Sequence, residues 1–199
     1  MSSTRAEGVH DSSRVLLIDA APLLYSSMID RLDVLGSVLH GYECLTTRAV
    51  IDEVERNAGR EEVVRRVRSA EWLSTASTES LAYHGRFPIW AQRLGMTNEH
   101  NIGESTLCTY ADVHGGTVYM DDRNARKVAE RHGLAVRGTA GLVADACRSG
   151  TWTVPSASQF LDALKTAGLY LPFGAGGFGE WGLEQDLLPA VSGDRAGDG

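Results

Sequence analysis

Short apolar runs alternate with longer segments of helical periodicity through the middle of the chain. The first run, Val15-Leu16-Leu17-Ile18, has no polar position, which is typical of a strand buried on both faces of a parallel sheet. Three further short apolar runs predict strands at residues 42–45, 117–120 and 134–136. The segments with helical spacing predict helices at residues 21–38, 47–57, 61–73, 103–114, 124–132, 140–148 and 156–167. Strands separated by helices predict an α/β domain with a parallel sheet and right-handed crossovers.

Both ends of the chain lack this periodicity. Residues 1–13 are small and polar, and residues 174–199 carry eight glycines and five acids against one arginine. Such composition buries too little apolar surface to offset the entropy lost on ordering. We therefore expect a disordered N-terminus at 1–13, a folded domain at 14–173 and a flexible, glycine-rich acidic tail at 174–199.

Composition is that of an ordinary globular domain. The 199 residues are 43% hydrophobic and 23% charged, which is enough for one domain with its own core. The three cysteines are widely spaced and suggest neither a disulfide framework nor a zinc site. No apolar run approaches the roughly 18 residues of a spanning helix and the N-terminus has no secretory signal, so we expect a cytoplasmic protein that does not enter a membrane.

The net charge of −7 argues against a protein that holds nucleic acid by overall charge, but it leaves room for a local basic groove. Several acids follow the predicted strands directly. Asp19 comes after the first strand, and Asp121 and Asp122 come after the strand at 117–120. The carboxyl ends of parallel strands meet at one edge of the sheet, where active sites of such folds lie.

Two glutamates on predicted helices, Glu53 and Glu104, would be able to join this edge. Clustered carboxylates repel one another unless a cation neutralises them. A set of oxygen ligands without histidine or cysteine favours Mg²⁺ or Mn²⁺, which can promote phosphodiester hydrolysis.

Each acid also has a purely structural explanation. Asp19 and Asp122 each precede a helix that they would cap, Glu53 would belong to a solvated helix face, and Glu104 would be favoured by the helix dipole. The Asp121-Asp122 doublet offers two candidates for one role. Taken singly, none of these acids indicates a metal site. Their joint placement around the strand ends favours one only together with a resemblance carried by three segments of the chain.

Three segments together resemble the PIN domain superfamily. They are Leu17-Ile18-Asp19-Ala20-Ala21-Pro22-Leu23-Leu24-Tyr25, Thr46-Thr47-Arg48-Ala49-Val50-Ile51-Asp52-Glu53-Val54, and the stretch 101–142 with Gly-Glu at 103–104, Asp-Asp-Arg at 121–123 and Gly-Thr-Ala-Gly-Leu at 138–142. The resemblance is closest to bacterial toxin nucleases of toxin–antitoxin pairs and to PIN-like proteins described as nucleic-acid binding. It covers most of residues 14–172.

The resemblance implies a three-layer α/β/α sandwich with a central, mostly parallel sheet, and a ribonuclease that hydrolyses RNA with Mg²⁺ or Mn²⁺. It implies metal binding and water activation by Asp19, Glu53, Glu104 and one of Asp121 or Asp122. By the resemblance, the fourth acid lies eleven residues before the glycine that corresponds to Gly133, which favours Asp122 over Asp121. Arg123 and Arg126 are expected near the metal edge as phosphate contacts. A small antitoxin protein and a second copy of the chain are the partners that the resemblance admits.

The sequence departs from the family pattern in three places. Ala20 and Ala21 stand where a hydroxyl residue usually follows the first aspartate, and Thr106 stands where a second glutamate is common. Residues 76–100 match nothing specific, and we expect a variable lid or partner-contact segment there. A PIN-fold protein that has lost activity and serves as a binding or regulatory module is therefore the main alternative.

Two other classes are set aside. A haloacid-dehalogenase-like phosphatase needs a second aspartate two residues after the first, where this chain has Ala21. The glycine pattern at 174–179 matches a dinucleotide-binding motif by letter, but no strand–helix–strand unit follows it.

Overall fold

The structure is a computed structural model that describes residues 14–98 and 100–189. Its centre is a sheet of five strands in the order β3-β2-β1-β4-β5, in which every neighbouring pair is parallel. The strands are β1 Val15–Ile18, β2 Glu43–Thr46, β3 Leu73–Thr75, β4 Thr117–Tyr119 and β5 Ala135–Arg137. The predicted parallel sheet is thus confirmed.

Within these described ranges, ten helices flank the sheet and complete a three-layer α/β/α arrangement. They are α1 Ala20–Met28, α2 Leu32–Val38, α3 Arg48–Ala58, α4 Glu61–Arg68, α5 Leu81–Arg93, α6 Ile102–His114, α7 Arg123–Arg131, α8 Thr139–Arg148, α9 Val154–Ala167 and α10 Phe178–Glu184. The central strand β1 is buried along its whole length, as its uninterrupted apolar sequence predicts. None of the helices described is long and apolar enough to cross a bilayer.

The direction in which the chain builds the sheet reverses at β1. The chain first adds β2 and β3 on one side, then returns to add β4 and β5 on the other. Between β1 and β4, Leu17 lies opposite Val118, and the Asp19 amide donates to the Tyr119 carbonyl at 2.9 Å. Ligands of open α/β sheets bind in the crevice at such a reversal, outside the carboxyl ends of the strands. The fold therefore brings Asp19 and the Asp121-Asp122 doublet to the expected ligand crevice.

The segment at 76–100 differs from the expectation of a variable lid. It forms α5, which packs along α6, and Trp90 on α5 is fully buried with its Nε1 donating to Asp112 Oδ2 at 3.0 Å. Gly85 and Pro88 lie inside this helix and lower its intrinsic helix propensity, which is why the pattern did not predict it. The preceding region also differs, because the predicted helix at 61–73 ends at Arg68 and Leu73 begins β3.

The expected flexible tail is ordered over its first part. Helix α10 packs on α9, and Phe178 is fully buried there. The ring of Phe173 lies 5.8 Å from that of Phe178 and 5.1 Å from that of Trp181, so three aromatic side chains supply the apolar surface that the glycine count concealed. The folded unit thus extends past 173 to about Leu188. The expected disorder at 1–13 and the remainder of the expected tail at 190–199 concern residues outside those described.

Candidate functional site

The carboxylate of Asp19 is buried, and its position before a helix does not explain why. It precedes α1 as the N-cap residue, yet its side chain makes no capping hydrogen bond. The residue is only 5% exposed, and Oδ1 is buried without a hydrogen-bond partner. Burial raises the pKa of Asp19 well above its usual value, and the charges of Glu104, Glu53 and Asp121 raise it further, while the Ala20 amide lowers it. The capping explanation for Asp19 therefore lacks the bond on which it would depend.

Glu104 is the second buried carboxylate with an orphaned oxygen. It lies in the first turn of α6, is 9% exposed, and its Oε2 has no hydrogen-bond partner. Burial raises the pKa of Glu104, and Glu53 and Asp122 raise it further, whereas its own backbone amide and His100 lower it. The first-turn position is electrostatically favourable, but it does not satisfy the inward oxygen.

Glu53 differs from its acidic neighbours on α3 in its contacts. Asp52 forms an ion pair with Arg48 at 2.8 Å, and Glu55 pairs with Arg68. Glu53 instead faces α6. Burial raises the pKa of Glu53, and the nearby Arg56 lowers it.

Gly103 provides the space in which two of these carboxylates approach each other. A Cβ on this residue would lie 2.9 Å from Glu53 Oε2 and 3.4 Å from Asp19 Oδ1. Any larger side chain would therefore have to displace one carboxylate or both. In the sequence Gly103 is part of the Gly-Glu motif at 103–104, and its packing role depends on contacts that are distant along the chain.

Two threonines join the helices that carry the glutamates. Thr47 is the N-cap of α3, and its Oγ1 accepts from the Val50 amide at 3.4 Å. The same oxygen lies 2.7 Å from Thr106 Oγ1, which in turn donates to the Gly103 carbonyl at 2.7 Å. Thr106, a departure from the family pattern, thus fixes α6 against α3. Only the capping position of Thr47 before a helix signalled this pair in the sequence.

The two aspartates of the doublet make different contacts. Asp121 accepts two hydrogen bonds from Thr139, one from the amide at 2.8 Å and one from Oγ1 at 2.6 Å. Burial raises the pKa of Asp121, while Thr139 and Arg126 lower it. Asp122 is exposed and caps α7 by accepting from the Ala125 amide at 2.7 Å. Asp121 therefore ties β4 to the start of α8, whereas Asp122 uses one oxygen and, among the residues described, leaves the other without a protein partner.

The two predicted arginines also lie beside the doublet. The guanidinium of Arg126 occupies the space above Gly138, next to Asp121. Arg123 is exposed at the start of α7, and no ion pair engages it within the described part of the chain. Of the two, Arg123 is the more available for a contact with a ligand.

The structure therefore gathers the predicted acids at one edge without forming a finished coordination shell. In the ranges described, no three acidic, histidine or cysteine side chains stand in positions to hold a metal ion together. The buried oxygens of Asp19 and Glu104 nevertheless suit a cation, since each is unpaired and neighbouring carboxylates raise the pKa of both residues. A divalent ion would relieve both the missing hydrogen bonds and the repulsion.

Comparison with known proteins gave one family. The family model DUF3368, described as a PIN domain, matches residues 15–174. That range includes the five strands and all of the acids just described. Searches of curated proteins and of solved structures returned no significant match.

Proposed function

Because this chain belongs to the PIN domain family, we propose that it is a metal-dependent ribonuclease that hydrolyses RNA phosphodiester bonds. PIN domains are generally nucleases, and the observation that supports activity in this member is the pair of buried, unpartnered oxygens on Asp19 and Glu104. A buried charged group without a partner is expensive, at about 1–3 kcal/mol or more for each group. A fold that keeps two of them side by side is explained most simply if a cation binds there.

Asp19 and Glu104 would hold the ion, and Asp122 would join them through its unused oxygen. Asp122 is exposed and its charge acts on Glu104, whereas Asp121 would have to give up a bond from Thr139. Oxygen ligands without nitrogen or sulfur favour Mg²⁺ or Mn²⁺. When bound, such an ion stabilises the negative charge that develops on the phosphodiester during hydrolysis.

The remaining side chains have roles of their own in this proposal. Glu53 accepts the proton of the attacking water at Oε2, for which its raised pKa makes it a better base than an ordinary carboxylate. Asp121 is a positioning residue that keeps the end of β4 and the start of α8 in register. Arg123 contacts a substrate phosphate, and Arg126 stays beside Asp121.

The test is cleavage of labelled RNA by the purified protein with Mg²⁺ or Mn²⁺, compared with the same reaction in chelator. Glu104→Gln keeps the size of the side chain but removes its charge, so cleavage should fall by orders of magnitude while folding is retained. Asp122→Asn should have a comparable effect and Asp121→Asn a smaller one. Glu55→Gln is the matched control, because Glu55 is paired with Arg68 away from the cluster.

A binding or regulatory module without activity is the second candidate. The unfinished coordination shell in the described ranges favours it, as does the pair of alanines after Asp19. Equal cleavage by wild type and Glu104→Gln, or no cleavage with any divalent metal, would replace the nuclease proposal with this one.

A further inference from the structure

Helix α10 forms one wall of a groove that reaches the Asp121-Asp122 doublet. A recess of about 450 Å³ opens between α7, β5 and α10, with Asp121 at one end. A second recess of about 400 Å³ lies on the other side of the same point. The two recesses share three lining residues, Asp121, Arg123 and Tyr170, so they adjoin and form one path past the doublet.

Cationic side chains are concentrated in the larger recess although the chain as a whole is acidic. Arg123, Arg126 and Arg137 line it together with two acids, Asp121 and Glu130. Arg137 forms an ion pair with Asp145, with 3.5 Å between Nε and Oδ2. Arg123 is exposed and has no ion pair in the part of the chain described. The chain as a whole has a net charge of −7, so this local excess of arginine differs from the rest of the protein. Such an excess suits the binding of a phosphate backbone.

Tyr170 stands between the two recesses with its side chain turned to solvent. It is 66% exposed, whereas its chain neighbours Leu169 and Leu171 are both 3% exposed and belong to the core. In the described ranges its ring makes no contact with another aromatic ring. An exposed aromatic ring beside arginines is the arrangement on which proteins stack unpaired bases.

We propose that this groove binds single-stranded RNA, with one unpaired base stacked on the Tyr170 ring and flanking phosphates on Arg123 and Arg137. Because both recesses meet at Asp121, a strand that follows them passes its backbone beside Asp121, the residue whose charge also acts on Asp19. The inference rests on the proposed nuclease function and adds to it the aromatic residue that holds an unpaired base and the arginines that hold the flanking phosphates. Duplex RNA has no unstacked base to offer, so it would bind more weakly.

The test measures binding apart from cleavage. Anisotropy of a fluorescein-labelled single-stranded RNA is titrated with protein in chelator, where hydrolysis cannot proceed by the proposed route. Tyr170→Ala should weaken affinity about 5- to 150-fold, the range found for loss of one base–aromatic stack. Tyr170→Phe keeps the ring and should bind like wild type. Tyr42→Ala is the matched control. Tyr42 is 46% exposed but lies just before β2, at the amino ends of the strands and so away from the groove.

The phosphate contacts have a separate readout in the dependence of affinity on salt. Each lost contact to a single strand should reduce the slope of log affinity against log salt by about 0.7. Arg123→Gln is expected to show this reduction. Lys127→Gln, an exposed change on the same helix that does not line either recess, should leave the slope unchanged.

The outcomes separate this inference from the nuclease proposal. Binding that depends on Tyr170, with no cleavage under any metal, would support the groove and refute the nuclease. Cleavage by wild type with equal affinity of wild type and Tyr170→Ala would refute the groove and leave the nuclease intact. Equal affinity for duplex and single-stranded RNA, or no RNA binding by wild type, would also refute the groove.

Discussion

Replacing Asp19 by asparagine should make the metal-free protein more stable and remove most of its response to metal. The carboxylate is buried, its Oδ1 is unpaired, and Glu104, Glu53 and Asp121 all act on it with the same sign of charge. Asparagine has nearly the same shape but no charge, and its amide can donate a hydrogen bond to a neighbouring carboxylate. Since an unsatisfied buried polar group costs about 1–3 kcal/mol, the free energy of unfolding should rise by an amount of that order.

Metal should stabilise the wild-type protein by a comparable amount. An ion that binds only the native state at a hundredfold excess over its dissociation constant adds about 2.7 kcal/mol. For a chain of this size each kcal/mol shifts Tm by about 2–4 °C, so the expected shift is about 5–11 °C. If Asp19→Asn weakens binding a hundredfold, the same concentration adds only about 0.4 kcal/mol, a shift of about 1–2 °C.

The pH dependence supplies a second signature of the same cluster. The pKa values of Asp19, Glu53, Glu104 and Asp121 are all raised in the folded protein. Between the unfolded values near 4 and the raised folded values, the native state holds more protons than the unfolded chain. The free energy of unfolding without metal should therefore be highest below about pH 4 as far as these groups are concerned, and fall as pH rises through the folded pKa values.

Thermal unfolding measured across that pH window, with chelator and then with Mg²⁺, Mn²⁺ or Ca²⁺, tests both signatures. The metal-induced shift should grow with pH, because deprotonation frees the ligands. Asp52→Asn serves as the control, since Asp52 pairs with Arg48 on the exposed side of α3. A lower Tm for metal-free Asp19→Asn would show that Asp19 stabilises the fold. An unchanged metal response would show that Asp19 is not a ligand.

Three further changes test the packing around the site. Gly103→Ala should reduce the metal-induced Tm shift, because the added Cβ would press on Glu53 Oε2. Gly85→Ala is the control, since Gly85 is a helical glycine with open space around it. That change should leave the metal response intact and raise the free energy of unfolding by up to about 1 kcal/mol. Thr139→Val should slow RNA cleavage less than Glu104→Gln does but lower Tm, because it removes one of the two bonds to Asp121 and leaves the amide bond. The sequence alone predicts that deletion of the chain after residue 173 is harmless. In urea unfolding this deletion should instead lower the free energy of unfolding by about 3–5 kcal/mol, since it removes the buried Phe178. An unchanged urea midpoint would show that α10 does not belong to the fold.

The central part of the fold was predictable because its signals are local. The apolar run of β1 and the run that gives β4 are each followed directly by acids, and the helices α6 to α9 begin and end within a few residues of the predicted positions. Parallel topology follows from the alternation of strands and helices alone. For these elements, periodicity and the position of glycine were sufficient.

The missed elements depend on contacts that are distant in sequence or on single large side chains. Helix α5 has a poor local signal, but Trp90 is held by Asp112 on α6. Helix α10 lies in a glycine-rich segment, and its order comes from Phe178 packing against Phe173 and α9. In both cases tertiary packing outweighs propensity, which composition cannot reveal.

The candidate site shows the same division. Which acids follow strands could be read from the sequence, but the different contacts of Asp121 and Asp122 depend on Thr139 in one case and on Ala125 in the other. The Thr139 contact joins residues eighteen positions apart, so residue types alone did not distinguish the two aspartates and only the family resemblance favoured Asp122. The space that Gly103 leaves for Glu53 likewise depends on how α3 meets α6.

If the proposed metal site and the proposed RNA groove both exist, their common edge implies that metal and RNA assist each other. Without an ion, the carboxylates of Asp19, Glu104 and the doublet repel a phosphate that enters the groove beside Arg123. In the proposed site a divalent ion would offset two of these charges and so weaken the repulsion that a phosphate meets there. Because such coupling is reciprocal, bound RNA must tighten metal by the same factor by which metal tightens RNA. Under the two proposals the acidic residues and the arginine groove are two parts of one arrangement, in which RNA binding in chelator is measurable and becomes tighter when metal is added.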